Sequence, residues 1–191
     1  MSRPDEAAPA LIYKEGDDIV LDGETYEDPL VAVRSKTITL TNAQIKALPT
    51  TSIEVVPAPG AGKMLMFHSA HLLCDATAGV YTNIDGAGGY MSIRYTGQGD
   101  ISTLLVKDSG VGATAFSLGG LVEQAGNVRW ATLTPYHAGA DASYGLIANG
   151  DAVQENTGFS VRFRNYSNGD LTGGHADNYM RVTVNYSVID V

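Results

Sequence analysis

Charge is scarce in this chain: Asp, Glu, Lys and Arg make up 17% of it, against about 25% in an average globular protein. Cysteine is scarcer still. Cys74 stands alone, which excludes an internal disulfide and argues against a cysteine-based zinc site. Its surroundings, Met64-Leu-Met-Phe-His-Ser-Ala-His-Leu-Leu-Cys74, predict a buried thiol. No apolar run approaches the ~18 residues of a membrane-spanning helix. The first residues, MSRPDEAAPA, lack the basic-then-apolar pattern of a secretory signal, so synthesis in a cytoplasm is expected and no membrane partner. Basic clusters are missing too. A net charge of −9 and a pI near 4.7 disfavour nucleic-acid binding, which needs Lys and Arg to replace phosphate counterions.

The acidity that is present is segregated. Residues 1–30 carry nine acids against two bases, a net −7, whereas residues 31–191 carry twelve acids against ten bases, a net −2. The reading is therefore of an acidic segment, residues 1–29, attached to a nearly neutral body, residues 30–191. Residues 1–10, with Pro4 and Pro9, predict an extended arm. Leu11–Lys14 and Asp18–Asp22 flank Glu15-Gly-Asp17 and predict a small hairpin. Residues 23–29 read as an acidic turn.

Chemistry-bearing motifs are few. No G-x-S-x-G nucleophile elbow occurs. Gly60-Ala-Gly62-Lys63 resembles the end of a phosphate loop, but the required earlier Gly and following Ser or Thr are replaced by Pro57 and Met64. The acids of residues 15–28 lack calcium-loop spacing. His68 and His71, three apart on an expected strand, predict side chains on opposite faces, one packed and one solvated. His175-Ala-Asp177 is a weak candidate ligand pair. We expect no enzyme activity, no cofactor and no metal. Ten tyrosines, four phenylalanines and Trp130 admit sugar stacking, although β-propensity accounts for most of the tyrosines.

What is abundant is punctuation. Leu40–Lys63 holds a T-x-x-Q capping box at Thr41 and Gln44, a short helix over 41–48 stopped by Pro49, a strand at 52–56 and a Gly/Pro turn. A strand is expected over 30–40. Beyond it, strands are expected at 63–74, 79–84, 90–95, 102–106, 113–118, 129–134, 144–148, 159–165 and 179–189. A second short helix is expected at Leu118–Gln124. Short strands between Gly- and Asn-rich turns spell an all-β protein: a jelly-roll-like antiparallel β-sandwich with an extended N-terminal arm and one or two short helices. The last strand alternates well and is long, so it is expected at the centre of its sheet.

Two phrases carry a resemblance: Leu40–Thr51 with Ile53–Lys63, and Asn168–Tyr186. Together they resemble small β-rich structural proteins of tailed bacteriophages, across roughly residues 36–190. The resemblance implies a virion component without catalytic residues. A short chain with its own Met1, an acidic arm and no fibre repeats or coiled-coil heptads points to a capsid cement or decoration protein. The alternative is a tail-tip or fibre receptor-binding β-knob. The expected partners are further copies of the chain, as a trimer, and the major capsid protein. The arm would reach the latter through Tyr13, Asp17, Asp18, Asp22, Glu24, Glu27 and Asp28.

Overall fold

The computed structural model describes residues 12–15, 18–21, 24–26, 32–84, 89–97, 101, 105–106, 121–123, 128–135, 155–165 and 169–191. The extended arm expected at 1–10 and the strands expected at 113–118 and 144–148 lie outside them. The chain divides into two compact units, Met1–Ala32 and Val33–Val191.

In the first unit, β1 (Ile12–Glu15), β2 (Asp18–Leu21) and β3 (Glu24–Tyr26) form an antiparallel sheet in that order. β1 and β2 make the expected hairpin, with Ile12 opposite Leu21 and Glu15 opposite Asp18. The acidic turn expected at 23–29 begins instead as strand, Glu24 lying opposite Leu21 and Tyr26 opposite Ile19. Thr25 and Tyr26 favour a pleated backbone, and the acidic neighbours do not prevent it.

The second unit runs β4 (Arg34–Thr41), α1 (Asn42–Ala47), β5 (Ile53–Val56), β6 (Lys63–Asp75), β7 (Tyr81–Thr82), β8 (Tyr90–Tyr95) and β9 (Leu105–Val106). It continues with β10 (Val128–Leu133), β11 (Phe159–Arg164), β12 (Thr172–Gly173) and β13 (Tyr179–Asp190). Two four-stranded sheets, β10-β6-β13-β4 and β5-β11-β8-β9, are accompanied by the small pair β12-β7. All pairings are antiparallel. The fold is an all-β antiparallel sandwich.

Its helix follows from local chemistry. Thr41 Oγ1 accepts the Gln44 amide N–H at 3.4 Å, and Gln44 Oε1 accepts the Thr41 N–H at 2.9 Å. Two orphan donors are thereby satisfied at an exposed helix start, a device worth about 1 kcal/mol. Ile45 and Leu48 turn inward and are fully buried. In the second expected helix, Leu121 and Val122 are helical and buried.

The core lies between the two large sheets. Val182 and Val184 of β13, Leu72 and Cys74 of β6, and Val161 and Phe163 of β11 are all fully buried. Phe159 joins the sheets: its ring centroid lies 6.1 Å from Phe67, 5.1 Å from Tyr95 and 6.4 Å from Tyr186. Tyr95 also donates its phenol O–H to the Leu65 carbonyl of the facing sheet. β13 is central, paired with β6 on one side and β4 on the other.

Two expectations need correction. The strand expected at 79–84 shrinks to Tyr81–Thr82, because Asn83 takes a left-handed φ of 67° and ends it. The second concerns β6, which carries one extra residue: Asn185 faces Ser69, but Tyr186 faces Phe67. The core-facing residues therefore switch from Leu65 and Phe67 to Ala70, Leu72 and Cys74. A bulge resets the two-residue alternation in this way, and His68 is the residue skipped.

Candidate functional site

The bulge decides where the histidines go. Beyond it, odd-numbered residues of β6 face outward, so His71 is exposed and shares a 3.2 Å hydrogen bond with Thr132. His68, half-buried, shares a 2.7 Å bond with Ser187, which is fully buried although it alternates with the core-facing Val184, Tyr186 and Val188. Both imidazoles thus sit on the side of β10-β6-β13-β4 away from the core, His71 exposed and His68 half-covered, and not on opposite faces as their spacing implied. Each is held by a hydroxyl of a neighbouring strand, the bland structural use of a histidine.

That outer face is a hydroxyl and amide surface with an apolar corner. Ser35 donates to Asn185 Oδ1 at 2.9 Å, and Asn185 donates on to Ser69 Oγ at 2.9 Å. Thr37 and Thr183 share a 2.8 Å bond one row further along. Such cross-strand pairs stabilise a sheet while leaving it hydrophilic. The apolar corner belongs to β10, where Trp130 is 66% exposed and Val128 48%. Leu73 of β6 lies opposite Trp130 and is half-buried. Arg181 of β13 lies beyond Leu73 in the same row. Asp75, in the row above, accepts the Thr77 hydroxyl at 2.6 Å and its N–H at 3.1 Å. Those bonds hold its carboxyl below the usual carboxylate range.

The second sheet presents a different outer face. Core residues Phe159, Val161 and Phe163 alternate with Ser160, Arg162 and Arg164, and Arg94 lies opposite Ser160. The Arg164 guanidinium sits over the Tyr90 ring at 5.9 Å and donates to its phenol oxygen at 2.9 Å. This stacks a cation on an aromatic face.

The seven residues singled out in the acidic segment separate into two groups. Tyr13 lies in β1 opposite Val20, Asp18 opens β2 and Glu24 opens β3, so the meander gathers these three into adjacent strands. Asp17, Asp22, Glu27 and Asp28 lie outside the described residues.

The turn at Gly60–Lys63 has its amides committed. Gly60 N–H donates to Asn156 Oδ1 at 2.9 Å, and Gly62 N–H to Glu155 Oε1 at 2.6 Å. A phosphate cradle needs such amides free and no carboxylate in the way. Beside the turn is a cleft of about 210 Å³ lined by Arg34, Pro57, Pro59, Tyr186 and Val188. That is below the ~300–1,000 Å³ of ordinary ligand pockets. His175 Nδ1 accepts the Asp177 N–H at 3.3 Å, and both side chains are exposed. Among the described residues, no three His, Cys, Asp or Glu side chains gather as a metal site. Among them, too, no helix is long and apolar enough to cross a membrane.

Cys74 is a free, fully buried thiol. Burial, and secondarily the negative charge of Asp75, push its pKa up to about 12. A thiol so held is protonated at neutral pH and is no nucleophile.

In comparisons with known proteins, no family model, no curated protein and no solved structure matches this chain.

The exposed face around Trp130 is the feature that sequence reasoning missed. In Val128-Arg-Trp-Ala-Thr-Leu133, apolar content alone would turn the largest side chain inward. Ala131 and Leu133 are buried instead, and the indole is left outside.

Proposed function

We propose that this protein is a structural component of a tailed-bacteriophage particle, a capsid cement protein that oligomerises and bridges major capsid subunits. One observation carries the reading. The two phrases that resemble phage structural proteins, far apart in sequence, pack as one unit. Thr41 pairs with Tyr179 and Leu40 with Met180. Thr50 donates to Asp170 Oδ1 at 2.7 Å, and Leu171 N–H donates to the Lys46 carbonyl at 3.0 Å. At Gly174, a Cβ would collide with Asn42 Oδ1 and the Tyr81 ring, so the second phrase closes tightly on the first. Resemblance in two places weighs more when the places form a single packed element.

The division of charge supplies the mechanism. A segment of net −7 beside a body of net −2 is steered toward basic shell surfaces and away from other acidic chains. Contacts that are weak singly become strong when copies are joined, because later contacts form at high effective concentration.

The test uses the full-length protein and particles that lack it. The wild type should co-sediment with the particles, and less so as salt is raised. A variant with Asp17, Asp18 and Asp22 changed to Asn, Glu24 and Glu27 to Gln, and Asp28 to Asn should bind roughly tenfold or more weakly. Equal binding by wild type and variant would remove the acidic segment from the mechanism. No binding by either would remove the shell assignment.

A further inference from the structure

A capsid clamp that acts through the acidic segment leaves the surface around Trp130 without a role. We propose that the outer face of β10-β6-β13-β4 is a binding platform for an uncharged polysaccharide or oligosaccharide, with the Trp130 indole as its stacking surface.

The argument begins with what is exposed. Trp130 is the sole tryptophan of the chain and stands 66% exposed on a sheet strand, flanked along that strand by Val128 and Thr132. Burying an indole is strongly favourable, and Val128 and Leu73 extend the apolar surface beside it, so the corner offers a contact area larger than one stray side chain. Among the described residues, neither the indole N–H nor the Arg181 guanidinium has a hydrogen-bond partner. Arg181 lies two strands away, which at the usual spacing is about 10 Å. Between and beside them stand Leu73, Asp75 and His71, the last already bonded to the Thr132 hydroxyl.

This is an amphipathic pattern in miniature. It offers one flat aromatic face for the C–H side of a sugar ring. Around that face stand a carboxylate, a guanidinium, an imidazole and hydroxyls, all suited to its O–H groups. Mixed donors and acceptors around one apolar surface are the usual make-up of a site that orients a small polar ligand.

Charge and the layout of apolar groups then choose among occupants. Asp75 and Arg181 cancel, and their outward neighbours Ser35, Thr37, Thr183, Asn185, Tyr179 and Met66 add no net charge. The face therefore offers no net field to an anionic or cationic polymer. Its apolar side chains are also dispersed. Trp130, Val128 and Leu73 stand at one corner, while Met66, 41% exposed, lies roughly 20 Å along β6 from Leu73. A stable protein interface is built around an apolar centre. A neutral glycan on the Trp130 corner fits this layout better than a second copy of the chain.

The single tryptophan makes the test specific, because intrinsic fluorescence reports this face alone. The full-length protein would be titrated with hexamers of β1,4-linked glucose, β1,4-linked N-acetylglucosamine and α1,4-linked glucose, and with mannan. At least one should shift or quench the emission saturably, with calorimetry giving the same dissociation constant. Trp130→Ala should weaken that binding at least roughly tenfold by calorimetry, whereas Trp130→Tyr should keep most of it. Arg181→Gln, which keeps the fold and the indole, should weaken it by a smaller factor.

Three results would overturn the proposal: no probe changes the emission, Trp130→Ala binds as tightly as the wild type, or the emission changes with protein concentration alone. The last, paired with a doubled mass in solution, would assign the face to a second copy. The particle-binding assay stands apart from all three, so the glycan platform and the shell role fail separately.

Discussion

Replacing Phe159 by alanine is expected to cost about 3–5 kcal/mol of stability, the usual cost of deleting a buried phenyl ring. The ring is fully buried and touches both sheets, meeting Tyr95 in its own sheet and Phe67 and Tyr186 across the core. The surrounding side chains come from β6, β8 and β13, whose backbones are fixed by ladders on both sides. The hole therefore cannot collapse cheaply. Against a typical total of about 5–15 kcal/mol, this is a large fraction. Urea unfolding should show a lower midpoint with an unchanged slope. Val33→Ala, at an exposed position, should shift stability by no more than about 0.5 kcal/mol. A loss below about 1 kcal/mol for Phe159→Ala would mean the two sheets do not pack through this ring.

The second large effect is a loss of stability at alkaline pH. Burial pushes Cys74, Tyr81 and Tyr95 up to about 12, from ordinary values near 9 for the thiol and 10 for the phenols. In the unfolded chain these groups ionise at their ordinary values, while the folded chain keeps their protons. The folded state therefore binds more protons between about pH 9 and pH 12, and stability must fall as pH rises through that window. Below pH 9 the contribution is fully present. A tenfold difference in proton affinity between the folded and unfolded chains is worth about 1.4 kcal/mol, so the three groups together contribute several kcal/mol. Urea midpoints measured from pH 7 to pH 11 should be flat at first and then drop. Cys74→Ala combined with Tyr81→Phe should drop less steeply, having two fewer groups to ionise. A midpoint unchanged up to pH 11 would contradict the burial of these residues.

Much of the fold was legible because it is written locally. Thr41 and Gln44 are three residues apart and cap the helix by themselves. The terminal strand shows its central position through length and alternation from Tyr179 to Val184. What failed was information that neighbours supply. The bulge at His68 carries no Gly or Pro to announce it, and arises from the register of β6 against β13. It turned two histidines onto one face. β12, only Thr172 and Gly173, is too short to show a pattern, and exists because Tyr81 and Thr82 lie beside it.

The candidate site was less legible than the fold. Charge segregation is visible in composition, and it directed attention to residues 13–28. The face around Trp130 is not visible there. A strand reading Val-Arg-Trp-Ala-Thr-Leu does not say which side meets the core. That choice is made by β6, whose Leu72 and Ala70 stand opposite Ala131 and Leu133.

The proposed shell role is tested most directly by counting copies of this protein per purified particle, against the major capsid protein, by quantitative mass spectrometry. A cement protein that bridges shell subunits should be present in hundreds of copies, in a simple ratio to the capsid protein. A handful of copies per particle, or none, would contradict the account.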